Sequence, residues 1–194
     1  MNYLAHIYLS GDDPGVIIGN FIADGIKGKK YLKQPPSFQK GILLHRFIDS
    51  YTDAHPTFKQ STKRLHENYG HYSGVIVDIL YDHFLAKNWS NYSKVPLEEY
   101  TLQFYQLLND NYQMLPTRIQ KMMPYMIADN WLLSYATMKG IGRILYQMNQ
   151  RTRNRSKMNF AILELETYYD QFEAEFESFF NQLQEQCKLK LATL

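Results

Sequence analysis

Apolar residues recur at spacings of three and four along almost the whole chain, and stretches that alternate apolar with polar residues are essentially absent. A helix turns an apolar face inward at that spacing, whereas a half-buried strand does so at every second residue, so the pattern predicts an all-α fold. At 194 residues the chain can bury a real core, and the expected architecture is a single-domain helical bundle over 1–194. A composition of 45% hydrophobic and 21% charged residues excludes a disordered chain. The lone Cys187 excludes both a disulfide framework and a cysteine-built zinc site.

Proline and glycine divide the helical pattern. Asp13-Pro14 pairs an N-cap with a first-turn proline and opens a helix expected to run to about Lys27 and end near Gly28. Pro35-Pro36 opens a second, through SFQKGILLHRFIDSY; Asp53 and Pro56 start a third that closes near Gly70, and a fourth covers roughly 72–87. After the loop WSNYSKV, helices are expected near 97–112, 117–128, 129–136 and 138–150, then one long amphipathic helix over 158–191. The opening MNYLAHIYLSGDDPG has no basic leader, and no run approaches the roughly 18 apolar residues of a membrane span, which predicts a soluble, cytoplasmic protein without membrane association.

The net charge of +2 conceals an asymmetry. Residues 159–194 hold seven acidic residues and two lysines, leaving nineteen basic against twelve acidic residues in the first 158. Two basic runs stand out, Lys27, Lys29, Lys30 and Lys33, and then Arg151, Arg153, Arg155 and Lys157. Each reads first as a solvated face, but a positively charged body also attracts acidic partners. No zinc-finger, RNP or KH signature accompanies the charge, so nucleic acid is not the expected partner. All six histidines lie in the first 83 residues, which predicts chemistry in 1–90 and helical scaffold in 91–194.

Helical spacing then places polar residues where the core should be. Asp24 shares a stripe with Ile17, Asn20 and Phe21; His45 and Asp49 share one with Phe38, Ile42 and Ile48; His83 lies among Tyr72, Ile76, Ile79 and Leu80, with Asp78 and Asp82 on its flank. Burying an unpaired carboxylate costs several kcal/mol, so three helices presenting His or Asp inward need mutual pairing, water or a cation. Taken singly, each has a plain structural reading: a hydrogen-bonded core histidine, a local i,i+4 pair at His45/Asp49, or helix caps at Asp53 and His55. Together they point to a metal centre, since helix bundles build such centres from carboxylates and imidazoles on facing helices. A His/Asp set with little Cys suits Mn²⁺, Mg²⁺ or iron, or Zn²⁺ with an open position.

Four stretches, MNYLAHIYLS, GNFIADGIKG (19–28), GILLHRFIDSYTDAHP (41–56) and GHYSGVIVDILYDHFLAKNW (70–89), resemble acyl carrier protein phosphodiesterases. The resemblance implies hydrolysis of the phosphodiester that joins 4′-phosphopantetheine to a serine of holo-acyl carrier protein. It also implies a divergent HD-like helical fold and a divalent metal, Mn²⁺ first and Mg²⁺ second. This chain has no adjacent His-Asp pair, only His45 with Asp49 and the reversed Asp82-His83. The expected metal set is Asp24, His45, Asp49 and Asp82, with His6, Asp78 and His83 as further ligands or as partners that orient them. Arg46 is the expected phosphate clamp and Asn20 the residue that orients water or substrate, each with an ordinary surface or helix-contact reading beside it. The acidic carrier fits the basic body as a docking partner. Two other readings stand beside this one, an HD-like phosphohydrolase acting on a small nucleotide or phosphate ester, and a non-catalytic helical binding module. The oligomeric state is left open.

Overall fold

Side-chain caps and prolines set most helix starts in the computed structural model, which describes residues 1–194. Asn2 caps α1 (Tyr3–Tyr8), a six-residue helix too short to show a period and absent from the sequence expectation. The Asp13 carboxylate accepts from the Gly15 and Val16 amides to start α2 (Pro14–Ile22). That helix stops short of the expected Lys27. Ala23–Gly25 forms a 3₁₀ turn and Gly28–Lys33 another, Gly28 taking a φ of +56°. Gly25 and Gly28 weaken helix propensity where the pattern still looks helical. Asp24 consequently sits in a turn rather than on the stripe of α2.

The α3 helix (Pro36–Ala54) packs on α2 with backbone against backbone. A Cβ on Gly19 would collide with the Phe38 carbonyl, and one on Gly41 with the Val16 carbonyl, so glycine at both positions permits the approach. The closeness of these two helices is what brings residues 20–24 against 45–49. His55 rather than Asp53 caps α4 (Pro56–Tyr69), its Nδ1 accepting from the Thr57 amide. After a 3₁₀ turn, α5 (Ser73–Lys87) runs through the centre with eleven buried residues.

The second half holds α6 (Leu97–Asp110), α7 (Thr117–Ala128), the single-turn α8 (Trp131–Ser134) and α9 (Met138–Arg151). The final segment is not one helix. A 3₁₀ turn at Met158–Phe160 leads into α10 (Ala161–Thr167), and after Tyr168 comes α11 (Tyr169–Leu191). Leu165 and Phe172 stay seven residues apart across the break, so the apolar stripe remains in phase and the interruption leaves no mark in the pattern. Phe172, Phe176, Phe179, Phe180 and Leu183 of α11 are fully buried within one continuous core of 48 buried residues, Phe176 and Phe179 packing on Tyr81 of α5. Each such ring contributes about 1.5–3 kcal/mol by leaving water. No strand is present, and no helix is long and apolar enough to cross a membrane.

Candidate metal centre

The site is organised around Asn20, a fully buried amide on the face that α2 turns toward α1 and α3. Its Nδ2 donates to the His6 carbonyl and to Ser10 Oγ, both at 2.9 Å. That fixes the amide orientation and leaves Oδ1 as an acceptor. His6 Nδ1 at 2.9 Å and His45 Nδ1 at 3.0 Å both point at this oxygen, so both must carry their proton there. The two rings stack with centroids 4.1 Å apart. Their Nε2 atoms then face the carboxylates: His6 Nε2 lies 3.3 Å from Asp49 Oδ1, and His45 Nε2 lies 3.2 Å from both Asp49 Oδ2 and Asp24 Oδ1.

The two histidines differ sharply in charge. Burial opposes protonation of His45, but its hydrogen bonds to Asp24 and Asp49 outweigh burial and raise it to about 9. At neutral pH it is an imidazolium whose Nε2–H is shared between the two carboxylates. Burial together with the neighbouring His45 charge depresses His6 to about 4, so His6 is neutral. Burial opposes ionisation of Asp49, but the His45 imidazolium beside it holds its carboxyl below the usual carboxylate range, and Asp24 is lowered chiefly by its bond to His45.

A neutral His6 whose proton is committed to Asn20 presents an Nε2 lone pair to the Asp49 carboxylate. Two electron-rich atoms 3.3 Å apart repel unless a proton or a cation lies between them. The donor set fits a cation. One ligand atom each from His6, His45 and Asp49 falls within 4.8 Å of the others, and Asp24 stands beside His45. Nitrogen and carboxylate oxygen donors without sulfur suit first-row divalent ions, and a histidine whose far nitrogen is anchored is the usual orientation device for such ligands.

The other acids and histidine expected at the centre stand outside the His6–His45–Asp49 cluster, although Asp78 lines the cavity described below. Asp82, fully buried, accepts from the Leu4 amide at 2.7 Å and the Asn2 amide at 3.2 Å, and Asp78 pairs with the Met1 ammonium at 2.7 Å. They clamp the start of α1 to α5, satisfying amides that a helix N-terminus leaves free, and so fix where His6 stands. Burial raises Asp82 to about 7. His83 is bonded to the Tyr135 carbonyl and the Tyr169 hydroxyl, joining α5 to α11. A helical stripe identifies what is buried but not which neighbour it meets, which is why these three read as ligands in the sequence. Arg46 does not line the cavity described below. Its guanidinium donates to the Ile26 and Gly28 carbonyls and stacks on Tyr31, bracing the basic 3₁₀ segment.

The cluster opens into a cavity of about 440 Å³. Thr52 and Asp53 continue the α3 stripe into it, a continuation readable from the i, i+3 and i+4 spacing after Asp49. Its other wall comes from the half expected to be scaffold, with Arg118, Trp131, Tyr135, Gln147 and Arg151. Arg151 stood out in the sequence only as part of a basic run, and nothing in the spacing of Arg151 or Trp131 ties them to the histidines.

An all-helical protein with paired imidazoles and carboxylates at the floor of an open polar cavity is thus defined by its own geometry. Residues 1–183 match the family model described as acyl carrier protein phosphodiesterase, and the chain belongs to that family. Curated proteins carrying the same name are similar over nearly their full length: 29% identity over 191 residues in Serratia proteamaculans, covering 98% of this chain and 99% of that one, and 27% over 191 residues with the same coverage in Yersinia pestis. No solved structure matches the chain.

Proposed function

We propose that the protein is a phosphoric diester hydrolase that removes 4′-phosphopantetheine from holo-acyl carrier protein, leaving the apo-carrier. Family membership supports the substrate. The observation that carries the chemistry is the Asn20 lock, which turns both histidine Nε2 atoms toward Asp49. In this reading His6, His45, Asp49 and Asp24 hold a divalent cation, Mn²⁺ by preference and Mg²⁺ as the alternative. Such an ion offsets phosphate charge and acidifies a water nucleophile. Asn20 keeps the Nδ1 protons in place, so that each imidazole offers only its Nε2 lone pair. Release of the His45 proton accompanies loading, because a ligating nitrogen must be unprotonated.

The carrier is acidic, and the segment Lys27–Lys33, which begins three residues after Asp24, supplies four exposed lysines beside the exposed Leu32. Arg46 braces that segment through two backbone carbonyls. Docking of the carrier there, and along the Arg151–Lys157 run, would present its serine-linked phosphate to the cavity. A cytoplasmic location goes with this substrate. Incubating the protein with holo-carrier and Mn²⁺, with and without chelator, and following the carrier mass tests the reading. Metal-dependent conversion to the apo mass is expected, and an unchanged mass under both conditions contradicts it. Charge reversal at Lys29 and Lys30 is expected to raise KM for the carrier, and an unaltered KM removes that segment from the docking surface.

A further inference from the structure

The wall facing the metal cluster is built from α7, α8 and α9 and has the opposite character. Arg118 and Arg151 both line the cavity, and neither forms an ion pair, although Asp24 and Asp53 line the same space. Arg151 lies over the Trp131 ring at 5.7 Å, so the cation is held against a flat surface rather than free to swing.

The second observation concerns polar atoms with nothing to bond. The chain has three buried side-chain polar atoms without a partner, and two of them, Trp131 Nε1 and Thr52 Oγ1, belong to residues that line this one cavity. Buried donors are almost always satisfied, and leaving one unmade costs free energy. An indole N–H can only donate, so its complement is an oxygen or nitrogen acceptor. Two exposed guanidiniums without a carboxylate partner, Arg151 reaching only Met148 Sδ, stand with a buried indole N–H that has no acceptor and fit an anion that continues into an acceptor-bearing chain.

We propose that Arg118, Arg151 and Trp131 form the wall that seats the prosthetic group, the guanidiniums holding non-bridging phosphoryl oxygens and the indole, whose N–H is closed to solvent in the unliganded chain, turning to donate to an oxygen of the pantetheine arm. Thr52, one turn beyond Asp49 on α3, has a hydroxyl that is equally recessed and turns to the same arm. This assignment rests on the functional reading above and gives the phosphate-binding part to Arg118 and Arg151 in place of Arg46. It also makes the second half of the chain a determinant of specificity: the cluster would act on any diester that reached it, while this wall selects one with a polar arm.

The test uses the full chain and two probes, free 4′-phosphopantetheine and inorganic phosphate, titrated calorimetrically into chelated protein, alongside the carrier assay. Replacing both arginines, R118Q with R151Q, is expected to weaken phosphopantetheine binding at least about tenfold, since charge-assisted bonds to phosphate are lost. Trp131→Phe keeps an aromatic surface under Arg151 and removes only the N–H; it is expected to weaken phosphopantetheine binding about three- to tenfold while leaving phosphate affinity unchanged. If wild-type protein converts the carrier but the double arginine variant binds phosphopantetheine as wild type does, the wall is wrong and the functional reading stands. If Trp131→Phe weakens both probes equally, the indole acts through packing and the arm contact is wrong. If wild-type protein leaves the carrier mass unchanged, the functional reading fails first, and the assignment to the pantetheine arm fails with it.

Discussion

On the α1–α3 side of the cavity Asn20 holds both imidazoles and His45 holds both carboxylates, whereas on the α7–α9 side neither guanidinium has a carboxylate partner, Arg151 reaching only Met148 Sδ, and the Trp131 indole N–H has no acceptor within the protein. The first side is organised before any ligand arrives, and its remaining conflict, the His6 lone pair against Asp49, is one that a cation relieves. The second side presents two exposed guanidiniums that can exchange water for an anion entering the cavity. One wall is therefore suited to activating a nucleophile and the other to choosing what it attacks. Because the two are built from different halves of the chain, substitutions should separate them.

The largest expected effect is at Asp49. Asp49→Ala should reduce turnover of holo-carrier by more than the about 100-fold that loss of a ligand's outer partner costs, and should abolish Mn²⁺ binding. Phosphopantetheine binding to the chelated protein should stay within about twofold of wild type, given the additivity of separate sites. A parallel loss of phosphopantetheine binding would merge the two walls into one. Asn20→Ala comes next. It frees both Nδ1 protons, and Mn²⁺ affinity should fall about 10- to 100-fold. Metal affinity equal to wild type would show that the lock is only structural.

Gly41→Ala tests the scaffold under the first wall. An added Cβ meets the Val16 carbonyl, and prying α2 from α3 should cost about 1–3 kcal/mol in urea unfolding. Metal affinity should drop with it, because Asn20 and His45 move apart. The same substitution should leave phosphopantetheine binding less affected than metal binding. The smallest effect is a pH slope. Asp82, whose carboxyl is raised from 3.8 to about 7 by burial, keeps its proton in the folded chain over a window in which the unfolded chain has lost it. Its contribution to stability therefore declines as pH rises from about 4 to about 7. Unfolding free energies of wild type and Asp82→Asn measured across that window should shift steadily in favour of the variant. A constant difference would show that Asp82 titrates normally.

Much of the first wall was legible in the sequence. His45 and Asp49 stand one turn apart on a helix whose period is plain, and Asn20 and Asp24 repeat that spacing on the preceding segment. What the pattern could not convey was which buried acid meets which neighbour. Asp82 and His83 share the apolar face of α5 but are taken up by α1 amides and by Tyr135 and Tyr169, contacts that lie more than fifty residues away in the chain. The break at Tyr168 was hidden for a different reason, since it leaves the aromatic stripe in phase. The second wall was marked only by Arg151, within a basic run. Arg118, Trp131 and Arg151 come from three separate helices, and a lone arginine on an exposed face looks the same whether it meets solvent or a cavity.

The central claim is that Asn20 fixes both imidazoles so that their Nε2 atoms receive a divalent ion. Nitrogen NMR of histidine-labelled protein, titrated with Zn²⁺ as a diamagnetic probe, tests it most directly. The account predicts that the Nε2 resonances of His6 and His45 move together on metal addition while both Nδ1 atoms remain protonated. Metal-induced change at Nδ1, or unchanged spectra for both histidines at saturating Zn²⁺, would contradict it.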